Sequence, residues 1–128
     1  GGVPPTRWRI YFKLISMIEL LSQREAAAML GVTPARIKQL WAENELLKVM
    51  EDSKPMVPSL CIAHEEGMTR PLKSLHGTML MLLDAGFTHN EATEWILSNH
   101  DGLEETPLEL LAKNRVREVR NAILPLAF

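Results

Sequence analysis

Two short helices with strong end signals, three residues apart, constrain this chain more than any other feature. Ser22 and Glu25 form a capping box, in which the hydroxyl and the carboxylate each accept a hydrogen bond from a free backbone N–H. Gly31 ends this helix, since glycine tolerates the left-handed conformation that a helix end needs. Thr33 caps the next helix, and Pro34 suits its first turn. The spacing predicts a helix-turn-helix.

The residues that follow predict a wing. The second helix is expected over residues 34–44, with Ile37, Leu40 and Trp41 on its inner face. An apolar run, a polar turn and a short apolar return then predict a β-hairpin over residues 46–57.

The rest of the chain is expected to be mostly helical. Apolar residues at gaps of three and four predict a helix over residues 10–21. Capping and proline signals predict four more helices after residue 73. The predicted fold is mainly α, a winged helix-turn-helix with a short β-hairpin wing plus a C-terminal helical domain. Its predicted parts are an N-terminal segment or helix (1–20), the winged helix-turn-helix (21–58), a connector (59–73) and the helical domain (74–128).

The net charge of −2 over 128 residues conceals two halves of opposite sign. Residues 1–54 carry eight basic and six acidic side chains, a balance of +2. Residues 55–128 carry six basic and ten acidic side chains, a balance of −4. A total near zero argues against a strongly basic nucleic-acid binder, but the basic half contains the predicted helix-turn-helix.

The outer side of the second helix carries the side chains expected to contact DNA. A helix-turn-helix places the first turns of its second helix in the major groove. Arg36 can donate two hydrogen bonds to guanine, and Gln39 can pair with adenine. Basic residues on both helices and the wing suit phosphates, and an ordinary solvated surface is the alternative. The predicted DNA-binding residues are Arg24, Thr33, Ala35, Arg36, Lys38, Gln39, Lys48 and Lys54.

The histidines and the single cysteine do not form a metal-binding or catalytic motif in the sequence. His64-Glu65 lacks the second histidine of a zinc-protease helix, because Met68 stands four residues after His64. Cys61 has no base beside it and is expected to pack as a small apolar side chain. We expect no metal, no cofactor and no catalytic activity. A second basic cluster is interpreted as a solvated helix face rather than a phosphate contact; it comprises Lys113, Arg115, Arg117 and Arg120.

Two stretches of the chain resemble known families. The run LSQREAAAMLGVTP (residues 21–34) resembles the winged helix-turn-helix of excisionase and MerR-type proteins. The second half resembles a family of small actinobacterial DNA-binding proteins, through KSLHG (73–77), LLDAGF (82–87) and EWIL (94–97). The motifs at residues 106–111 and 117–120 fit the C-terminal helices of that family. The resemblance implies a cytoplasmic, nucleoid-associated or regulatory protein that binds double-stranded DNA. Charged residues break the apolar runs well short of a bilayer span, so no membrane association is expected.

The resemblance does not extend to the N-terminal tail. The mycobacterial member of the family is a substrate of a membrane Ser/Thr kinase and carries its phosphothreonine in a flexible tail. This chain is apolar over residues 8–21, so the phosphosite is not transferred to Thr6.

A protein-binding role is the alternative to a DNA-binding regulator. The motif TPLELL (106–111) resembles the toxin-binding domain of bacterial antitoxins that are paired with helix-turn-helix regions. The C-terminal helices would then bind a partner protein, and DNA binding would serve autoregulation. The oligomeric state stays open, although a palindromic target would require a homodimer.

Overall fold

The computed structural model describes residues 18–127, which form six α-helices and five β-strands. The helices are α1 Gln23–Leu30, α2 Pro34–Ala42, α3 Leu75–Asp84, α4 His89–Leu97, α5 Pro107–Ala112 and α6 Val116–Ile123. The strands are β1 Leu20–Ser22, β2 Val49–Glu51, β3 Lys54–Pro58, β4 Ile62–Glu65 and β5 Met68–Pro71. Two 3₁₀ turns, Ser59–Cys61 and Leu124–Leu126, follow β3 and α6.

The first sheet contains the predicted hairpin. Its strands lie in the order β1, β3, β2, and both pairings are antiparallel. The turn residues Asp52 and Ser53 both have positive φ, +50° and +64°, as a two-residue type I′ hairpin turn requires. Leu46 and Leu47, expected in the first strand, are instead buried in the segment that leads into it.

Prolines stand inside β3, a position where sequence patterns usually exclude a strand. Pro55 pairs only with Met50 of β2, and Pro58 pairs only with Leu20 of β1. Each proline therefore lies where β3 has only one neighbouring strand. The other side of β3 has no strand to pair with there, so the missing N–H of the proline costs no hydrogen bond on that side.

The end of the predicted helix over residues 10–21 is wrong, because Leu20–Ser22 form β1. Leu21 lies opposite Val57 of β3, and both side chains are buried. Backbone pairing with β3 and burial of Leu21 favour an extended strand over another helical turn. The first part of that prediction, residues 10–17, lies outside the described residues, as does Thr6.

The segment predicted as a connector contains a second hairpin. β4 and β5 pair from Ile62 opposite Pro71 to Glu65 opposite Met68. The turn residues Glu66 and Gly67 have φ of +51° and +75°, again the type I′ geometry.

Both halves of the described chain share one hydrophobic core. It runs from Leu21 to Ile123 and includes buried residues of both sheets and all six helices. Capping boxes start three of the helices, at Ser22, Thr88 and Thr106. With 51% helix and 17% strand, the fold is mixed rather than mainly α.

The capping box of α1 yields a prediction on stability. The Ser22 N–H donates to Glu25 Oε1 at 2.8 Å. This bond lowers the pKa of Glu25 most, and a hydrogen bond with the Ser22 side chain lowers it further. Ionised Glu25 therefore stabilises the fold above its unfolded-state pKa, and this contribution is lost as the pH falls through the lowered folded-state pKa. We expect Ser22→Ala to lower the free energy of unfolding by about 1 kcal/mol in urea titrations.

The pH dependence separates the capping interaction from general destabilisation. Glu25→Ala should destabilise the protein at neutral pH, and its difference from wild type should shrink in acid. Glu104→Ala, at another exposed acidic position, is the control and should leave stability nearly unchanged. An equal loss for Glu25→Ala at every pH would contradict the capping role.

Candidate nucleic-acid interface

The connection between α1 and α2 positions the second helix. The Gly31 N–H donates to Ala28 O and the Val32 N–H donates to Ala27 O, which is the Schellman motif. Gly31 has φ of +70°, so the left-handed conformation predicted for this residue is confirmed. The Gln23 side chain donates to Pro34 O at 2.6 Å and ties the first turns of both helices together.

The buried stripe of α2 determines which side chains face outward. Ile37, Leu40 and Trp41 are buried, as predicted. Trp41 Nε1 donates to Leu47 O at 3.0 Å and holds the segment before β2 against the helix. The helix ends at Ala42, two residues before the predicted end.

The two predicted base-contacting side chains lie together on the outer face. Arg36 Nη1 donates to Gln39 Oε1 at 2.9 Å, and the same nitrogen lies 3.6 Å from Glu43 Oε1. The Arg36 side chain is 43% exposed. Glu43 was missed by the sequence analysis, although its spacing of seven residues from Arg36 places it two turns along the same face.

Two of the predicted phosphate contacts also lie together. Lys38 and Lys48 line one groove of about 530 Å³, together with Trp41. Lys48 Nζ lies 5.6 Å from the centre of the Trp41 ring, within the range of a cation–π contact. The ring thus has two polar contacts, with its N–H on a carbonyl and its face beneath an ammonium group.

The remaining predicted residues lie on α1, at the start of α2 and beside the wing turn. Thr33 caps α2, and its Oγ1 accepts from the Arg36 N–H at 3.2 Å. Ala35 is exposed in the first turn of α2, and Arg24 is exposed on α1. Lys54 is exposed beside the wing turn, opposite Glu51. The turn itself is acidic, since Asp52 follows Glu51.

Reactive groups elsewhere have ordinary structural roles. Cys61 is buried, and desolvation raises the pKa of its thiol to about 12, so the thiol is protonated at neutral pH.

Between residues 18 and 127, no three histidine, cysteine or acidic side chains come together in an arrangement that could hold a metal ion. No helix of this same part of the chain has the length and apolar character that crossing a bilayer requires.

One family model matches part of this chain, and one solved structure is similar to most of it. Residues 72–123 match the Rv2175c C-terminal domain of unknown function. The fold is similar to the NMR structure of Rv2175c, a mycobacterial protein, with a TM-score of 0.69 and 22% sequence identity. The match covers 87% of this chain and 82% of Rv2175c. No curated protein matches the chain.

These matches agree with part of the resemblance inferred from sequence. The matched residues 72–123 include the motifs KSLHG, LLDAGF and EWIL, on which that resemblance was based. The likeness to Rv2175c extends the agreement to the fold of most of the chain. Neither match assigns a function.

Proposed function

We propose that this protein binds double-stranded DNA through a winged helix-turn-helix, with α2 as the recognition helix and the β2–β3 hairpin as the wing. The observation that carries the proposal is the outer face of α2, where Arg36 and Gln39 lie in contact. Lys38 of α2 and Lys48, which precedes β2, line one groove. A solvated surface does not require this pairing of a guanidinium with an amide.

Because Arg36 and Gln39 are in contact, the two side chains could bind adjacent bases together. Arg36 would donate to the O6 and N7 atoms of guanine, and Gln39 would pair with adenine. The hydrogen bond between them limits their rotamers before binding, which reduces the entropy lost on complex formation. Lys38, Lys48 and Lys54 would contact phosphates and set the register of α2 in the groove.

Nearby acidic groups would limit non-specific affinity. Glu43 competes with DNA for the Arg36 guanidinium, and Glu51 and Asp52 place negative charge at the wing turn. Phosphate contacts supply most of the non-specific affinity for DNA. Few such contacts are available, so the proposed role is a transcriptional regulator or nucleoid-associated factor whose specificity rests on residues around Arg36. We propose no catalytic activity and no cofactor for it.

Replacement of Arg36 tests the base contact. Duplexes would first be selected from sheared genomic DNA on the immobilised full chain, and their affinity measured by fluorescence anisotropy at several salt concentrations. Arg36→Ala should cost about 1–3 kcal/mol of binding free energy and relax the sequence preference. Lys54→Ala should reduce the slope of log K against log salt by about one, as loss of a phosphate contact does.

The control for both variants is Arg115→Ala. Arg115 is exposed and pairs with Glu118 on α6, outside the proposed interface. Its removal changes the net charge equally and should leave affinity and salt dependence unchanged. The proposal is wrong if no duplex is retained, or if an Arg36/Lys38/Lys54 triple alanine variant binds as tightly as wild type.

Replacement of Glu43 tests the competition for Arg36. Glu43→Gln removes the negative charge 3.6 Å from the Arg36 guanidinium, so it should raise duplex affinity by a few-fold. Glu66→Gln, a charge change in the turn between β4 and β5, is the matched control and should have no effect. A lower affinity for Glu43→Gln would indicate that Glu43 positions Arg36 instead of competing for it.

A further inference from the structure

The six basic residues of the acidic half separate into two groups. Three have acidic partners, in the pairs Arg70–Glu65, Lys113–Glu105 and Arg115–Glu118. The other three have no acidic partner among residues 18–127; they are Lys73, Arg117 and Arg120. No acidic residue occurs in residues 1–17 either. The basic cluster inferred from the sequence is therefore half neutralised.

The three unpaired residues all line one groove. It has a volume of about 800 Å³ and lies between the end of β5, the start of α3 and α6. Lys73 stands on one side, and Arg117 and Arg120 stand on α6. The one acidic residue in its lining, Glu65, already pairs with Arg70.

The groove also has an apolar component. Leu124 is 63% exposed at its α6 side, and Met81 and Val116 are half-buried in the same lining. Arg117, Arg120 and Leu124 recur at spacings of three and four residues, so they follow one face of α6 and the turn after it. The opposite face of α6 buries Val119 and Ile123 in the core.

We propose that this groove binds an acidic amphipathic helix of a partner protein. An exposed leucine gains nothing from phosphates but does gain from burial against apolar side chains, so Leu124 favours such a helix over nucleic acid. Arg117 and Arg120 lie about 4.5 Å apart along the axis of α6, which matches carboxylates three or four residues apart on a facing helix. The proposal does not depend on DNA binding by α2.

Peptide selection on the full chain tests this proposal. A random library of displayed peptides of about four helical turns is selected on wild type and counter-selected on Arg117→Gln/Arg120→Gln. Peptides specific to wild type should be acidic, with apolar residues at spacings of three and four. Two charge-assisted contacts are lost, so the variant should bind the best peptide about tenfold more weakly.

A matched control separates the groove from overall charge. Lys113→Gln/Arg115→Gln removes two positive charges from the same segment, but from residues that already have acidic partners. It should bind the selected peptide within about twofold of wild type, as expected for charges outside the site. Amide shift changes caused by the peptide should map to α6, the start of α3 and the end of β5.

Four outcomes would overturn the proposal. Three of them are the absence of any enriched peptide, enrichment without acidic bias, and equal weakening of peptide binding in both double variants. The fourth is self-association of the wild type that Arg117→Gln/Arg120→Gln abolishes, because the occupant of the groove would then be a second copy of the chain. Duplex DNA binding is measured on the same proteins. Its loss in Arg117→Gln/Arg120→Gln would assign the groove to nucleic acid, whereas its loss in Arg36→Ala alone concerns only the proposed function.

Discussion

The buried stripe of α2 is the constraint on which the candidate interface depends. Ile37, Leu40 and Trp41 turn inward, and the Trp41 N–H binds Leu47 O in the segment that leads into the wing. This hydrogen bond fixes how α2 is rotated about its axis relative to the β2–β3 hairpin. Because the apolar stripe is buried, Arg36 and Gln39 must face outward. The interface therefore follows from core packing.

Local sequence signals were sufficient for the parts of the fold that depend on neighbouring residues. The capping box of α1, the left-handed Gly31 and the inner face of α2 were predicted because each depends on residues a few positions apart. β1 was missed because its pairing with β3 depends on residues more than 30 positions away. The β4–β5 hairpin was missed because Glu66-Gly67 is a weak form of the type I′ turn signal. In the candidate interface, helical spacing indicated the outward residues, and the same spacing could have indicated Glu43 as the partner of Arg36.

Charged side chains are grouped differently on two surfaces of the described chain. The proposed recognition helix groups the Arg36 guanidinium with an amide and a competing carboxylate. The groove at α6 groups cations with one exposed leucine, Leu124, and the single acid in its lining pairs with Arg70. The first set of side chains suits a polar, highly charged duplex, and the second suits an acidic surface with apolar side chains. A net charge of −2 conceals both surfaces, since it sums all basic and acidic side chains of the chain.

Mapping of amide shifts during titration of the full chain with a selected DNA duplex tests the central claim most directly. The account predicts changes concentrated in the first two turns of α2, in its connection to α1 and in the β2–β3 hairpin, and fading with added salt. The amides of α6 should stay unperturbed. Changes confined to α6 and the groove beside it, with α2 unaffected, would contradict the assignment of α2 as the recognition helix.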